Sequence, residues 1–174
     1  MRLTMKVMVV GALLLALSAG VALAATINCT GGLCEGTDKK DTLFGVSGFD
    51  EINGKGGADK IFGKSGDDIL RGDFNSNPSA VEGDDEVYGG AGKDFLLGEG
   101  GDDLLNGGKG RDFIDAKDPS KNSTDAVKGG RGRDEIESTD REKDVIDCGP
   151  GVVDKVRFDR RLDTVKNCEK KFPQ

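Results

Sequence analysis

Histidine is absent from this chain of 174 residues, which removes His-based zinc sites and any Ser-His or Cys-His catalytic pair. Bulky apolar side chains are scarce too. Only 35% of the residues are hydrophobic and 5% aromatic, too few for a conventional packed core, so stability must come from elsewhere. Positive charge is in deficit, with 25 Lys and Arg against 32 Asp and Glu, a formal net charge of −7 and a pI near 4.7. Such a surface disfavours nucleic acid and favours cations.

Apolar residues run together only near the start. Arg2 and Lys6 precede the apolar stretch Val7 to Leu17, and Ala22-Leu23-Ala24 is a small-x-small cleavage site. Residues 1–24 therefore read as a secretory signal, because the run is short for a membrane span. Cleavage would remove two positive charges, taking −7 to −9, and leave no stable membrane insertion. The expected location is secreted, extracellular, in an oxidising compartment where calcium is available. All four cysteines lie beyond residue 24, as a disulfide framework requires. They allow three pairings. Local pairing, Cys29 with Cys34 and Cys148 with Cys168, is expected because it pins each end separately. The N-x-S/T patterns at Asn28 and Asn122 are common by chance and carry no weight.

What the chain has in quantity is glycine, 28 residues of it, in a fixed frame. Between Gly89 and Asp115 the sequence cuts into GGAGKDFLL, GEGGDDLLN and GGKGRDFID. The same nine-residue frame extends over 36–157 as twelve blocks. Block five (72–88) carries eight extra residues around Asn75-Ser76-Asn77-Pro78, and block nine (116–128) carries four. The last two blocks, 138–147 and 148–157, are each one residue longer than nine. Sixth positions hold Asp41, Asp50, Asp59, Asp68, Asp85, Asp94, Asp103, Asp112, Asp125, Asp134, Asp144 and Asp154. Eighth positions hold Leu43, Ile52, Ile61, Leu70, Val87, Leu96, Leu105, Ile114, Val127, Ile136, Ile146 and Val156. Twelve aliphatics in one register rule out coincidence in a chain so poor in apolar residues.

This pattern, G-G-x-G-x-D-x-U-x, resembles the RTX, or haemolysin-type calcium-binding, nonapeptide repeat. The resemblance covers about 36–157 and implies an all-β fold, a right-handed parallel β-roll or β-helix solenoid with disulfide-pinned ends. The frame divides the chain into signal peptide (1–24), N-terminal cap (25–35), repeat roll (36–157) and C-terminal cap (158–174). Strand side chains alternate, so x-U-x turns the aliphatic inward, while the glycine-rich hexapeptide reverses the chain. Two blocks make one coil, and coils stack at roughly 4.7–4.9 Å. Carboxylates stacked about 5 Å apart repel by roughly 3 kcal/mol at an effective dielectric near 20, less where solvent screens them. Something must neutralise such a column.

Calcium fits, being hard, oxygen-seeking and tolerant of six to eight ligands, whereas magnesium demands tighter octahedral geometry and should substitute poorly. Several Ca2+ ions are expected, with Asp50, Asp59, Asp68, Asp85, Asp94, Asp103, Asp112 and Asp134 as ligands. The resemblance implies that loop carbonyls of adjacent coils complete each site. Odd blocks share one edge and even blocks the other. Both insertions fall in odd blocks, so the even edge is expected to hold the tighter, contiguous sites, with weaker or missing ones around Asp85 and Asp125.

Other readings fare worse. Disorder is contradicted by the aliphatic register. Glycoside hydrolysis by neighbours such as Asp67-Asp68 or Asp102-Asp103 fails because adjacent side chains diverge and no deep pocket is evident. An ice-binding face would need a ladder of outward threonines, and only Thr42 takes such a position. Lys128, Arg131 and Arg133 read as solvated surface. Asp163-Thr164-Val165 imitates D-x-U once more before Cys168. Phe44, Phe62 and Tyr88 should stack on one outer face, and Ile69, Phe95 and Phe113 on the other, beside Leu97. Toxins and proteases of the family carry a large functional domain and a C-terminal secretion signal. No such domain fits here, so haemolytic or proteolytic activity is not carried over. The expected protein is a non-enzymatic calcium binder, the alternative an adhesive or ligand-binding module built on an outward face or on the inserted loops.

Overall fold

The computed structural model describes residues 24–73, 81–119 and 122–174. The signal segment up to Leu23 and the Asn75-Ser76-Asn77-Pro78 turn lie outside the described residues. Among those described there is no helix. Strands alternate between two parallel eight-stranded sheets. One sheet takes β1 (Ala25–Asn28), β3 (Asp41–Phe44), β5 (Lys60–Ser65), β7 (Glu86–Gly92), β9 (Leu104–Gly110), β11 (Ala126–Gly132), β13 (Val145–Asp147) and β15 (Thr164–Lys166). The other takes β2 (Gly32–Glu35), β4 (Asp50–Asn53), β6 (Ile69–Arg71), β8 (Phe95–Leu97), β10 (Phe113–Asp115), β12 (Glu135–Ser138), β14 (Lys155–Phe158) and β16 (Lys170–Pro173). The result is a β-solenoid of eight coils, two strands to a coil. The strands of odd blocks form one sheet and those of even blocks the other.

Register follows the aliphatic residue. Ile52 pairs with Leu70, Leu70 with Leu96, Leu96 with Ile114, Ile114 with Ile136, and Ile136 with Val156. The opposite sheet stacks Leu43, Ile61, Val87, Leu105, Val127, Ile146 and Val165 in the same way. All twelve eighth-position side chains are below 2% exposed and fill the space between the sheets. Burying one such side chain contributes about 1.5–3 kcal/mol, and each of the twelve repeat half-coils has one. This is a core of minimal width.

Both ends of the solenoid continue the sheets. β1 and β2 form an opening coil, in which Ala25 stands opposite Asp41 and Gly32 opposite Asp50. β15 and β16 form the closing one. Cys29 is bonded to Cys34, and Cys148 to Cys168, as the end-pinning argument anticipates. Cys148 replaces the first glycine of its block and is fully buried beside the last aliphatics.

The outer faces carry the expected aromatic columns. Phe44, Phe62 and Tyr88 stack with ring centroids 5.0 Å apart, and Phe95 and Phe113 stack at 5.0 Å on the opposite sheet. Ile69 is Phe95's cross-strand neighbour and extends that column. Ion pairs cross between coils on the same faces, among them Lys60–Glu86 at 2.6 Å and Arg71–Glu51 at 2.9 Å. Such half-exposed pairs contribute little individually.

The contrast between inward and outward positions gives a direct check. In calcium-loaded protein, Ile114→Ala should lower the stability read by denaturant unfolding by about 2–4 kcal/mol. Lys128→Ala, on the exposed outer surface, should stay within about 0.5 kcal/mol.

Candidate metal centre

The loops that join the sheets put the sixth-position aspartates at the two edges of the solenoid, and all twelve are buried to 2% exposure or less. A strict pattern of hydrogen bonds links them from coil to coil. The backbone N–H of each aspartate donates to Oδ1 of the aspartate one coil later. On the odd edge, Asp41, Asp59, Asp85, Asp103 and Asp125 donate to Asp59, Asp85, Asp103, Asp125 and Asp144 at 2.6–2.9 Å. On the even edge, Asp50, Asp68, Asp94, Asp112 and Asp134 donate to Asp68, Asp94, Asp112, Asp134 and Asp154 at 2.8–3.0 Å. At the C-terminal end Asp144 donates to Asp163 and Asp154 to Glu169. Asp163 thus completes the D-x-U imitation, and a glutamate ends the even column.

One oxygen of each carboxylate is thereby used. The other is the feature of chemical interest. Oδ2 of Asp59, Asp85, Asp103 and Asp125 on the odd edge, and of Asp68, Asp94, Asp112, Asp134 and Asp154 on the even edge, is buried without a hydrogen-bond partner. Asp50 has its Oδ1 unpartnered instead, since Oδ2 accepts from the Val46 N–H at 2.8 Å. The ends behave differently. Asp41 Oδ2 accepts from the Thr37 N–H and hydroxyl, Asp144 Oδ2 from the Ser138 hydroxyl, and Asp163 Oδ2 from the Asp159 N–H. Protein donors close the odd column at both ends, and unpartnered oxygens occupy its middle.

Glycine at the first position of a block makes room for that oxygen. A Cβ on Gly107 would stand 2.5 Å from Asp112 Oδ2 and 2.7 Å from the Gly129 carbonyl of the next coil. On Gly63 it would stand 2.6 Å from Asp68 Oδ2 and 2.7 Å from the Gly89 carbonyl. The even-edge loops of blocks six, eight and ten also need a positive φ at their fourth position, met by Gly92, Gly110 and Gly132 at 142–146°. Carboxylate and carbonyl oxygens therefore converge in small cradles along both edges. Every cysteine is in a disulfide, so the donor set is oxygen only, the set a hard cation such as calcium takes.

Burial dominates the electrostatics. It pushes the carboxyl of Asp103 up to about 10 and those of Asp59, Asp85 and Asp125 to about 8, against an ordinary 3.8. Asp112 rises to about 7, and Asp94 and Asp134 to about 6. In each case the backbone N–H from the preceding coil opposes the rise, and neighbouring carboxylates add to it. The odd column is the more strongly perturbed of the two.

The eight expected ligand residues fall into these columns, Asp50, Asp68, Asp94, Asp112 and Asp134 on the even edge and Asp59, Asp85 and Asp103 on the odd. Two further acids, buried Asp73 and half-buried Asp118, have no place in the nonapeptide frame. Asp73 opens the block-five insertion, with Oδ2 on the Gly83 N–H at 2.8 Å and Oδ1 unpartnered. Asp118, in the block-nine insertion, approaches Asp103 and Asp125 so that one oxygen of each lies within 4.8 Å of the others. The only signal in the sequence was an acid just inside each insertion.

An all-parallel two-sheet solenoid with an aspartate ladder at each edge defines a cation-binding repeat protein. Residues 35–72 and 79–114 match the model of the RTX calcium-binding nonapeptide repeat, in four copies. Its cofactor is Ca2+. No curated protein and no solved structure matches the chain. The ladder itself runs on beyond residue 114, through Asp125, Asp134, Asp144 and Asp154.

These raised values set a pH dependence for the calcium-depleted protein. Groups with a folded-state pKa above 3.8 favour the fold only while protonated. That contribution is complete below about pH 4 and is lost as pH rises through about 6 for Asp94 and Asp134 and about 8 for Asp59 and Asp85. Calcium-depleted protein should therefore gain β-structure by circular dichroism on acidification from about pH 8 to about pH 5. A loss of β-structure over that range would contradict the burial of these carboxyls.

Proposed function

We propose that the chain is a secreted, non-enzymatic calcium-binding roll that takes up several Ca2+ ions between stacked turns and folds with them. The observation that carries this reading is the double column of buried carboxylates, all of which, except Asp41 and Asp144 at the ends of the odd edge, keep one oxygen without a protein donor. The ligands would be Asp50, Asp68, Asp94, Asp112 and Asp134 along the even edge and Asp59, Asp85 and Asp103 along the odd, with the first-position carbonyls beside them. Calcium would supply the positive charge that permits these carboxylates to be ionised and stacked. The chain's own part is to hold the oxygens converged, through the N–H bond to Oδ1 and the glycine cradle. Two disulfides suit an oxidising compartment, and residues 1–24 have the pattern of an export signal. The lack of histidine and the divergence of Asp67, exposed and accepting from the Lys93 N–H, from buried Asp68 both favour a binding role over catalysis.

Because metal binding supplies folding free energy, removal of calcium should cost most of the β-structure between the two disulfides. Circular dichroism in excess calcium and then in excess chelator measures this. Identical spectra would sink the proposal.

A specific surface feature favours a second role, that of a calcium-built platform for a ligand. Beside the even edge lies a shallow groove of about 470 Å³, lined by Phe49, Ile69, Phe95 and Phe113 together with charged side chains of both signs, Lys93 and Arg111 among the acids of that edge. Phe49 is 55% exposed and Phe95 36%. Exposed apolar surface flanked by charge is a common form of binding site. Replacing Phe95 and Phe113 together by Ser should abolish partner binding or self-association while leaving calcium affinity largely intact. Loss of folding would instead assign the stacked rings to sheet stability.

A further inference from the structure

The insertion in block nine was expected to weaken the odd edge around Asp125. Its geometry suggests the opposite. The segment is tied to the coils on either side of it. Ala116 is buried and donates its N–H to the Glu137 carbonyl at 2.9 Å. The Asp118 N–H donates to Asp140 Oδ2 at 3.1 Å, and the Thr124 N–H to Asp102 Oδ1 at 2.8 Å. Lys117, the cation next to Asp118, turns to Asp115 at 3.2 Å, and among the described residues no cation pairs with Asp118.

Held in this way, the Asp118 carboxylate faces Asp103 and Asp125, with one oxygen of each of the three within 4.8 Å of the other two. Asp103 is 2% exposed and Asp125 1%, and Oδ2 of each is buried without a partner. Neither oxygen of Asp118 completes a hydrogen bond, and neither does the buried Ser123 hydroxyl, although that hydroxyl lies near enough to favour the charged form of Asp118. The neighbouring charges that act on the three acids, from Asp85, Asp140, Asp144 and Glu82, are negative as well. Protein groups are arranged to gather negative oxygens here and not to neutralise them.

We propose that Asp118 is a third carboxylate ligand of a divalent-cation site, shared with Asp103 and Asp125, that the insertion in block nine completes. The site differs from the ordinary nonapeptide cradle in taking a side chain from outside the repeat. Three carboxylates with no nitrogen or sulfur donor select a hard cation, and their spacing leaves room for the large, irregular coordination sphere of calcium. A higher ligand charge favours tighter binding. The other odd-edge insertion shows a related device, since buried Asp73 keeps Oδ1 unpartnered and its charge bears on both Asp59 and Asp85. On this account the insertions reinforce the edge they interrupt.

The inference rests on the roll being a calcium binder, and the experiment separates the two. Calcium titration calorimetry on the full chain and on Asp118→Ala gives stoichiometry and affinity for each. The variant should bind one ion fewer, or bind one ion about tenfold or more weakly, with the remaining sites unchanged. Asp118→Ala titrating like the wild type would overturn the inference and leave the calcium-binding reading intact. A wild type that takes up no calcium would overturn both. If the variant fails to fold in saturating calcium, a crystal structure of the calcium-loaded wild type decides. An ion about 2.3–2.6 Å from oxygens of Asp118, Asp103 and Asp125 supports the assignment. An ion coordinated without Asp118, or no ion between these three residues, refutes it.

Discussion

The repeat coils of this solenoid depend on one bond, from the backbone N–H of a sixth-position aspartate to the carboxylate of the acid one coil later. It fixes the spacing of the coils at their edges, where the sheets themselves stop. It also holds the carboxylate in a single orientation, with Oδ2 directed into the loop and away from water. A hydrogen bond to a charged acceptor contributes about 1.5–3 kcal/mol, but a buried oxygen left without a partner costs about as much or more. The same arrangement therefore favours the stack through one oxygen and opposes it through the other. A cation reverses the sign of the second effect. Calcium and fold are coupled because the carboxylate serves both.

The sheets were legible in the sequence because two periodicities agree there. Nine-residue spacing and alternation within x-U-x place Leu96, Ile114 and Ile136 in one column, and the core has no space for another arrangement. The aromatic columns and the local disulfides follow from the same frame. The opening coil was less visible, since Ala25 and Gly32 stand where later coils have aspartate, and a frame keyed to that residue ends at block one. Asp118 and Asp73 were invisible for a related reason. An insertion has no register, so nothing in the spacing says which of its side chains turns inward. That depends on tertiary ties such as Asp118 N–H to Asp140 and Thr124 N–H to Asp102.

The two edges differ in how they meet the same electrostatic problem. The even edge keeps uniform loops with glycine at the fourth position, so identical cradles repeat from coil to coil. The odd edge is irregular, and burial raises its carboxyls further, Asp103 most of all. Deeper burial strengthens both the repulsion between acids and their attraction to a cation. An irregular edge is thus no weaker in principle, provided its loops bring oxygens and not apolar side chains to the column.

The ladder also has a direction. Each N–H points toward the C-terminal coil and each accepting carboxylate belongs to the later one, so the two ends cannot be closed in the same way. At the N-terminal end the acceptor is Asp41 and the donor can be any backbone, here that of Ala25 at 3.2 Å. At the C-terminal end a donor is left over on each edge, and an acid must be supplied to meet it. Asp163 does so for Asp144, and the longer Glu169 reaches Asp154. The segment after residue 157 is consequently an electrostatic terminus as well as a strand pair. Its acids accept the last donors of both ladders, while Cys148–Cys168 holds the closing coil in place.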